Sequence, residues 1–383
     1  MMKKAILWLV CLMLAVAPAL AQGGAVVAEV GGTKITRAEV DAAFMAAYGE
    51  QYEAEEAFEL RHGLVEQMLR ETTERLMQQQ MGFDTPSQQE IDAVTALAQQ
   101  EYANYVEYYM ALFDDGSMTQ EELREMTQAY LRSMDMSLED YTQQAIGALA
   151  GEKLRAWALQ GVALSEEELH AAYEAMVRDE QALCSVYPDS FLSCAYYGMP
   201  YLYVPEGVRE IRQIVVSFDE EQRLEYGFLA DAAARGEDAS ADLDALYAQL
   251  DGRVLEIRNQ LDSGKSFADV ETEYSDDWTM LSADGQAAVR YVCEGAQIWD
   301  PLFTQAAMAL ESVGEISAPV RMSDGVHILC YAADVPSGAV PFEQARDYVA
   351  EYALYEKQMQ TYEDALAGWM EELGAQIYLE GLE

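Results

Sequence analysis

The stretch from Val208 to Tyr331 constrains the fold more than any other part of the chain. Its most informative line is GKSFADVETEYSDD, from Gly264 to Asp277. Gly264 predicts the end of one helix, and Phe267 and Val270 predict a short second helix with one apolar face. An alternating apolar segment precedes this line, and a helical and an extended apolar segment follow it. The predicted order is therefore strand, long helix, short helices, strand.

Five segments of this stretch carry short motifs in a fixed order, namely Val208–Val216, Gly264–Asp277, Phe303–Leu310, Gly314–Val320 and Gly325–Ile328. In this order they resemble the parvulin peptidyl-prolyl isomerases. The family has an opening strand of the V-R-x-x-H-I-L-V type, a G-x-x-F-x-x-x-A-x-x-Y-S-D line, an F-x-x-A-x-x-x-L helix and a closing G-x-H-I strand. Four of the five segments correspond to these motifs in turn, and Gly314–Val320 lies between the helix and the closing strand. The stretch thus resembles a parvulin domain, which implies a four-stranded antiparallel sheet flanked by helices.

The resemblance also implies a set of site residues. Parvulins are understood to combine a proline pocket of aromatic, Met and Leu side chains with two facing histidines and a Cys or Asp near the substrate carbonyl. By position, the predicted catalytic residues are His327 for the second histidine, Asp277 for the Cys or Asp, and Gln213 where the first histidine is expected. The predicted substrate-binding residues are Phe303, Trp299, Met322 and Asp324.

Two departures from the family pattern bear on activity. Gln213 can donate and accept hydrogen bonds and so orient His327, although it cannot share a proton as an imidazole does. The Gly-Gly-x-Leu-Gly element is absent, and LSADGQAAVRYV follows Met280 instead. In an apolar pocket, desolvation would raise the pKa of the Asp277 carboxyl. An ordinary loop acid at Asp277 and a satisfied core histidine at His327 are the alternatives.

Residues 22–180 are predicted to form a helical domain. Capping boxes, in which a hydroxyl and a carboxylate bond to each other's backbone N–H groups, precede its apolar-periodic segments. The pairs are Thr36/Glu39, Ser87/Glu90, Thr119/Glu122, Ser137/Asp140 and Ser165/Glu168. These signals predict five to seven helices between Thr36 and Glu180.

Two N-terminal segments, AEVGGTKITRAEVDAAF and VALSEEELHAAYEAM, resemble the chaperone domain of exported SurA- and PrsA-type foldases. That resemblance implies a C-terminal helix, within 336–383, that returns to the N-terminal helices. The predicted fold class is α+β, a mainly helical chaperone domain with a small parvulin-like domain at 206–335. An acidic helical insertion is predicted at about 219–262, and 181–205 is predicted to be a linker or loop, with client contact as the alternative.

The first 21 residues predict a signal peptide. Lys3 and Lys4 precede the apolar run Ala5–Val16, and Ala19-Leu20-Ala21 is a cleavage pattern, so the mature chain is predicted to start after Ala21. The run is too short to span a bilayer of about 30 Å as a helix. We therefore expect an exported, extracytoplasmic protein without stable membrane insertion after cleavage.

Cysteine usage and charge limit the classes of partner. In an oxidising compartment Cys184 and Cys194 are the first candidates for a disulfide, and Cys293 and Cys330 for core thiols. A net charge of −45 argues against nucleic acid and anionic lipid as main partners. The chain has three histidines and lacks a Cys-x-x-Cys pair, so neither a metal nor another cofactor is predicted.

These features predict an exported folding factor. The first interpretation is a parvulin-type peptidyl-prolyl isomerase with chaperone activity on unfolded, proline-containing polypeptide clients, with a homodimer left open. The alternative is a catalytically weak or inactive holdase in which the parvulin-like domain only binds peptide. Gln213 and the missing glycine element favour the holdase, whereas Phe303, His327 and Asp277 favour the enzyme.

Overall fold

A computed structural model describes residues 24–49, 51–277 and 289–382. The predicted signal peptide and most of the LSADGQAAVRYV segment lie outside the described residues. The chain divides into two compact units. The first unit comprises the residues up to Ala163 together with those from Tyr355 onward, and the second unit comprises Leu164–Leu354.

The described residues form thirteen α-helices and nine strands, so the chain is α+β as predicted. In chain order they are β1 (Val26–Val30), β2 (Thr33–Thr36), α1 (Arg37–Tyr48), α2 (Ala54–Met81), α3 (Gln88–Phe113), α4 (Gln120–Ser133), α5 (Leu138–Ala158), α6 (Glu166–Val186), α7 (Asp189–Tyr197), β3 (Tyr203–Val204), β4 (Arg209–Ser217), α8 (Glu220–Ala234), α9 (Ser240–Ala248), α10 (Asp251–Asp262), α11 (Phe267–Tyr274), β5 (Arg290–Val292), α12 (Pro301–Met308), β6 (Val320–Met322), β7 (Gly325–Asp334), β8 (Gly338–Ala339), α13 (Phe342–Glu372) and β9 (Gln376–Ile377).

Each of the five predicted capping boxes starts a helix. They precede α1, α3, α4, α5 and α6, and both reciprocal bonds are present in every case. At the start of α3, for example, Ser87 N donates to Glu90 Oε2 at 2.7 Å, and Glu90 N donates to Ser87 Oγ at 3.4 Å. Six helices begin between Thr36 and Glu180, within the predicted range.

The two ends of the described chain meet in the first unit. β1 is the central strand of a three-stranded antiparallel sheet, β2-β1-β9, in which Ala28 lies opposite Ile377. The last turns of α13 pack in the same unit, where Leu366 and Trp369 share an apolar cluster with Leu154 of α5. The C-terminal segment is therefore part of the core that the N-terminal helices form.

The second unit contains the predicted four-stranded antiparallel sheet, in the order β5-β4-β7-β6. β4 and β7 pair along their whole length, and helices cover apolar residues on both faces of the sheet. β5 pairs only with the first part of β4, Arg209–Ile211. The later part of that edge of β4 carries the candidate site.

The segment 181–205 is not the predicted linker or loop. It contains the end of α6, the two-turn helix α7 and the strand β3, which pairs with β8. These elements bury Cys184, Phe191 and Leu192 in one apolar cluster with Cys293, and that burial holds the segment in place. Because α7 is only nine residues long, its sequence shows no clear apolar period.

The helix α6 also differs from its predicted place with the N-terminal helices. It belongs to the second unit because Leu169 packs with Leu202 and Val349 in one apolar cluster.

The four described cysteines are free thiols, so the predicted Cys184–Cys194 disulfide is not formed. Cys293 and Cys330 are buried, as predicted, and burial raises the pKa of the Cys293 thiol to about 11. None of the described helices is both long and apolar enough to cross a membrane.

Candidate active site

All seven predicted site residues line one cavity of about 350 Å³ at the end of the sheet in the second unit. They are Gln213, Asp277, Trp299, Phe303, Met322, Asp324 and His327. One side of the cavity is a polar network based on β4 and β7, and the other side is an apolar wall based on α12 and β6. The structure therefore brings together residues separated by more than a hundred positions in sequence.

The polar side is a chain of hydrogen bonds centred on Gln213 and His327, which are both buried. Gln213 Nε2 donates to Asp277 Oδ2 at 2.5 Å, and Gln213 Oε1 lies 3.0 Å from His327 Nδ1. His327 Nε2 lies 2.8 Å from Asp324 Oδ1. Gln213 thus contacts both the imidazole of His327 and the carboxylate of Asp277. The hydrogen bond from His327 lowers the pKa of Asp324 below its ordinary value.

Asp277 does not have the apolar surroundings that we expected. Its carboxylate forms an ion pair with Arg290, with 2.9 Å between Arg290 Nη1 and Asp277 Oδ2. The Arg290 side chain is 13% exposed and the Asp277 side chain is 11% exposed, so the pair is largely shielded from water. Arg290 belongs to the stretch that replaces the glycine element and was not predicted as a site residue.

The Tyr-Ser-Asp-Asp loop is held on the open edge of β4. Ser275 Oγ accepts a hydrogen bond from Val215 N at 3.1 Å, and Asp276 Oδ2 accepts one from Ser217 N at 3.0 Å. Two N–H groups of β4 that no neighbouring strand takes up are satisfied in this way. Asp276 is also bound by both terminal nitrogens of Arg253, each at 2.8 Å. The loop therefore presents Asp277 to the cavity in a fixed position.

The apolar wall depends on how α12 begins and ends. Asp300 caps its N-terminus by accepting from Leu302 N at 2.7 Å, with Pro301 in the first turn. At the other end, the Arg209 guanidinium donates to the carbonyls of Met308 and Leu310. A cation bound to these carbonyls also complements the negative end of the helix dipole. Both contacts fix the helix that carries the buried Phe303.

Trp299 stands beside Phe303, with 6.0 Å between the ring centroids. Its Nε1 donates to the carbonyl of Tyr291 at 2.8 Å, which sets the plane of the indole. Tyr196 of α7 meets the indole edge to face at 5.2 Å. The aromatic wall therefore continues from the cavity onto α7, a contact that the sequence did not reveal.

The turn between β6 and β7 places Met322, Asp324 and His327. The Tyr247 hydroxyl donates to the carbonyl of Met322 at 2.7 Å. Gly325 has φ +147°, and a Cβ there would lie 2.1 Å from the carbonyl oxygen of Val216. The close approach of β7 to β4 requires glycine, which explains the first letter of the G-x-H-I motif.

The site combines an apolar wall and polar groups that can bind a ligand through non-covalent contacts. It offers an apolar hollow next to fixed hydrogen-bonding groups, and no described Ser, Thr or Cys nucleophile pairs with a base there. Among the described residues, no group of three His, Cys, Asp or Glu side chains could hold a metal ion.

The family comparison agrees with this geometry. Residues 237–332 match the model described as "Rotamase: PPIC-type PPIASE domain". This segment is therefore similar to PPIC-type rotamase domains. The match includes six of the seven predicted site residues. It begins after Gln213, so β4, the strand in which Gln213 replaces the family histidine, lies outside the matched residues.

Curated relatives give the same assignment. The chain is 35% identical to Foldase protein PrsA 2 of Listeria innocua over 101 residues, which are 26% of this chain and 33% of that protein. It is 31% identical to Chaperone SurA of Ralstonia nicotianae over 124 residues, which are 32% of this chain and 23% of that protein. The matches thus span about a third or less of the relatives' length. They confirm the predicted resemblance to parvulin-type foldases of the SurA and PrsA kind.

A solved structure of the SurA-like chaperones PEB4 and Cj1289 of Campylobacter jejuni is 10% identical to this chain. The alignment covers 93% of this chain and all of that one, with a TM-score of 0.35. The assignment of the PPIC-type domain rests on the sequence matches and on the site.

Proposed function

We propose that this chain is an exported folding factor that isomerises X-Pro bonds of unfolded polypeptides and holds such chains against aggregation. The proposal extends the assignment of the PPIC-type domain to the whole protein. The name "foldase" of the PrsA relative and "chaperone" of the SurA relative support it. The predicted signal peptide at 1–21 supports action outside the cytoplasm.

One observation carries the catalytic part of the proposal. Phe303, Trp299 and Met322 form an apolar wall that faces the His327, Gln213 and Asp277 network across a single cavity. Rotation about an X-Pro bond has a barrier of about 20 kcal/mol that arises from amide conjugation. A hollow that holds the prolyl ring away from water and binds the twisted amide more tightly than the planar one lowers that barrier.

Exchange spectroscopy on short X-Pro peptides tests this activity. The mature chain is expected to accelerate cis–trans exchange, and Phe303→Ala is expected to reduce the acceleration because it removes the wall of the hollow. Phe228→Ala is the matched control, since Phe228 is 74% exposed on α8. An equal loss of acceleration in both variants, or no loss in Phe303→Ala, would contradict the proposal that the prolyl ring binds in this hollow.

A holdase without turnover is the second candidate. It is favoured by Gln213 in place of the first family histidine and by an ion pair, Arg290–Asp277, inside the cavity. Peptide exchange no faster than the uncatalysed rate, together with normal suppression of aggregation of an unfolded model protein, would leave only this function.

A further inference from the structure

The guanidinium of Arg290 lies in the cavity, next to the apolar hollow proposed to bind the prolyl ring. Its Cζ lies 5.5 Å from the ring centroid of Trp299 and 5.8 Å from that of Phe303. The ion pair with Asp277 at 2.9 Å holds the group from the opposite side. Arg290 is therefore fixed between the aromatic wall and the polar network, where the amide of a bound X-Pro bond would lie.

The other side-chain N–H donors that line the cavity have partners. The pairs are Gln213 Nε2 with Asp277, Trp299 Nε1 with the Tyr291 carbonyl, and the ring nitrogens of His327 with Gln213 and Asp324. A guanidinium has five N–H donors. Within the described residues, the one hydrogen bond of Arg290 is that to Asp277. Among the described side chains that line the cavity, Arg290 thus has the most N–H groups left for an incoming ligand.

During amide rotation, such a donor can stabilise the transition state at one atom, the prolyl nitrogen. In the planar amide, the nitrogen lone pair is delocalised into the carbonyl group. In the twisted transition state the lone pair is localised on a pyramidal nitrogen, which becomes a hydrogen-bond acceptor, while the carbonyl oxygen loses negative charge. An N–H donor at the prolyl nitrogen therefore binds the transition state more strongly than the ground state and lowers the barrier.

We propose that Arg290 is a catalytic residue that donates a hydrogen bond to the prolyl nitrogen as the X-Pro bond twists. This inference rests on the proposed isomerase function. A guanidinium is suited to the task because it stays protonated and has a rigid, planar set of donors. Asp277 then acts as the residue that positions it.

The charge of the cavity argues against the rival role of selecting an anionic substrate group. Four carboxylates line it, those of Asp276, Asp277, Asp300 and Asp324. Arg290 is already paired with one of them. A negatively charged side chain before the proline would meet this excess of negative charge, so Arg290 serves as a donor rather than as an anion site.

The test uses Arg290→Met, which has a similar length and no N–H donor, in the mature chain, with exchange spectroscopy on peptides that carry Ala, Lys or Glu before the proline. The measurement gives both the exchange rate at saturating protein and the Kd. We expect the rate to fall by about 100-fold, the effect of removing one preorganised donor, with Kd changed by less than about threefold. All three peptides should lose rate alike.

A double variant distinguishes the effect of losing the Arg290 donor from the effect of leaving the Asp277 carboxylate without its Arg290 partner. Arg290→Met with Asp277→Asn removes the carboxylate that Arg290→Met alone leaves without its ion-pair partner, and it is expected to stay as slow as Arg290→Met. Recovery of the rate in the double variant would overturn the proposal, as would an unchanged rate in Arg290→Met or a loss of affinity confined to the Glu peptide. If the unaltered chain gives no acceleration, the proposed isomerase function fails first, and the role of Arg290 falls with it.

Discussion

Some side chains in the cavity contact two polar groups at once, and Gln213 is the clearest example. Its amide nitrogen is bonded to Asp277 and its amide oxygen faces His327. A family histidine at this position would have one ring nitrogen for each neighbour. The amide reproduces the connection without a titratable group, because it has a donor and an acceptor on the same carbon.

Replacing Gln213 with Leu should therefore destabilise the second unit. The change keeps a similar volume but leaves Asp277 and His327 each without one buried partner, at a cost of about 1–3 kcal/mol per group. Urea denaturation measures this loss. Gln213→Glu is unsuitable as a neutral comparison because it adds a carboxylate beside Asp277. Arg235→Gln, on the exposed surface of α8–α9, should leave stability nearly unchanged.

Gly325 is a second position at which one residue type is required. Gly325→Ala combines a positive φ with a Cβ placed 2.1 Å from the Val216 carbonyl oxygen, so β7 must move away from β4. The expected loss of stability is more than about 2 kcal/mol, in the range of strained backbone sites. Thermal unfolding followed by circular dichroism measures it. Gly227→Ala, a helical glycine in open space, is the control.

Helix starts are stabilised locally, and Glu90 at the start of α3 shows how this depends on pH. The hydrogen bond from Lys153, together with bonds from Ser87, lowers the pKa of Glu90 to about 2 from 4.5. A lowered folded-state pKa means that the ionised group stabilises the fold above pH 4.5. That stabilisation is lost as the pH falls from 4.5 towards about 2.

We expect Glu90→Gln to be less stable than the unaltered chain at pH 7, because Gln retains the cap but not the charge that pairs with Lys153. The difference should shrink below pH 4.5 and vanish near pH 2. Unfolding midpoints measured over this pH range give the difference directly. A difference that stays constant down to pH 2 would show that the ion pair has no part in it.

The helix α7 supports the site through Asp189. Its carboxylate accepts from Gln297 N at 2.9 Å and from Ile298 N at 3.1 Å, directly before Trp299. Asp189→Ala should cost about 1.5–3 kcal/mol, the value of hydrogen bonds to a charged group, and should slow peptide exchange by loosening Trp299. Denaturation and exchange spectroscopy on one preparation measure both effects. Asp231→Ala on the exposed face of α8 is the control.

Elements with local signals were predicted well, and elements held by distant contacts were not. The five capping boxes identify helix starts because every atom involved lies within four residues. The nine-residue α7 was missed because burial of Phe191 and Leu192 against other elements, rather than a periodic pattern, stabilises it. The seven site residues came from the family motifs. Arg290 lies where the family motif is lost, so neither spacing nor resemblance pointed to it.

At the scale of the whole molecule, the described chain has two units with separate cores. Trp369→Ala should destabilise the first unit by about 3–5 kcal/mol, because it removes a buried aromatic side chain from the cluster with Leu366 and Leu154. Exchange of short X-Pro peptides, which depends on the second unit, should be unchanged. Calorimetry and exchange spectroscopy on this variant test both statements, with the exposed Tyr352→Ala as control.

The pairing of β9 with β1 sets an order of events during biosynthesis. Ala28 is synthesised before the residues of the second unit, and its neighbour Ile377 is synthesised after them. The residues of the second unit, Leu164–Leu354, are continuous in sequence and are all present before that strand. The three-stranded sheet of the first unit can therefore close only after the whole second unit has been synthesised, and until then β1 lacks one of its two neighbouring strands.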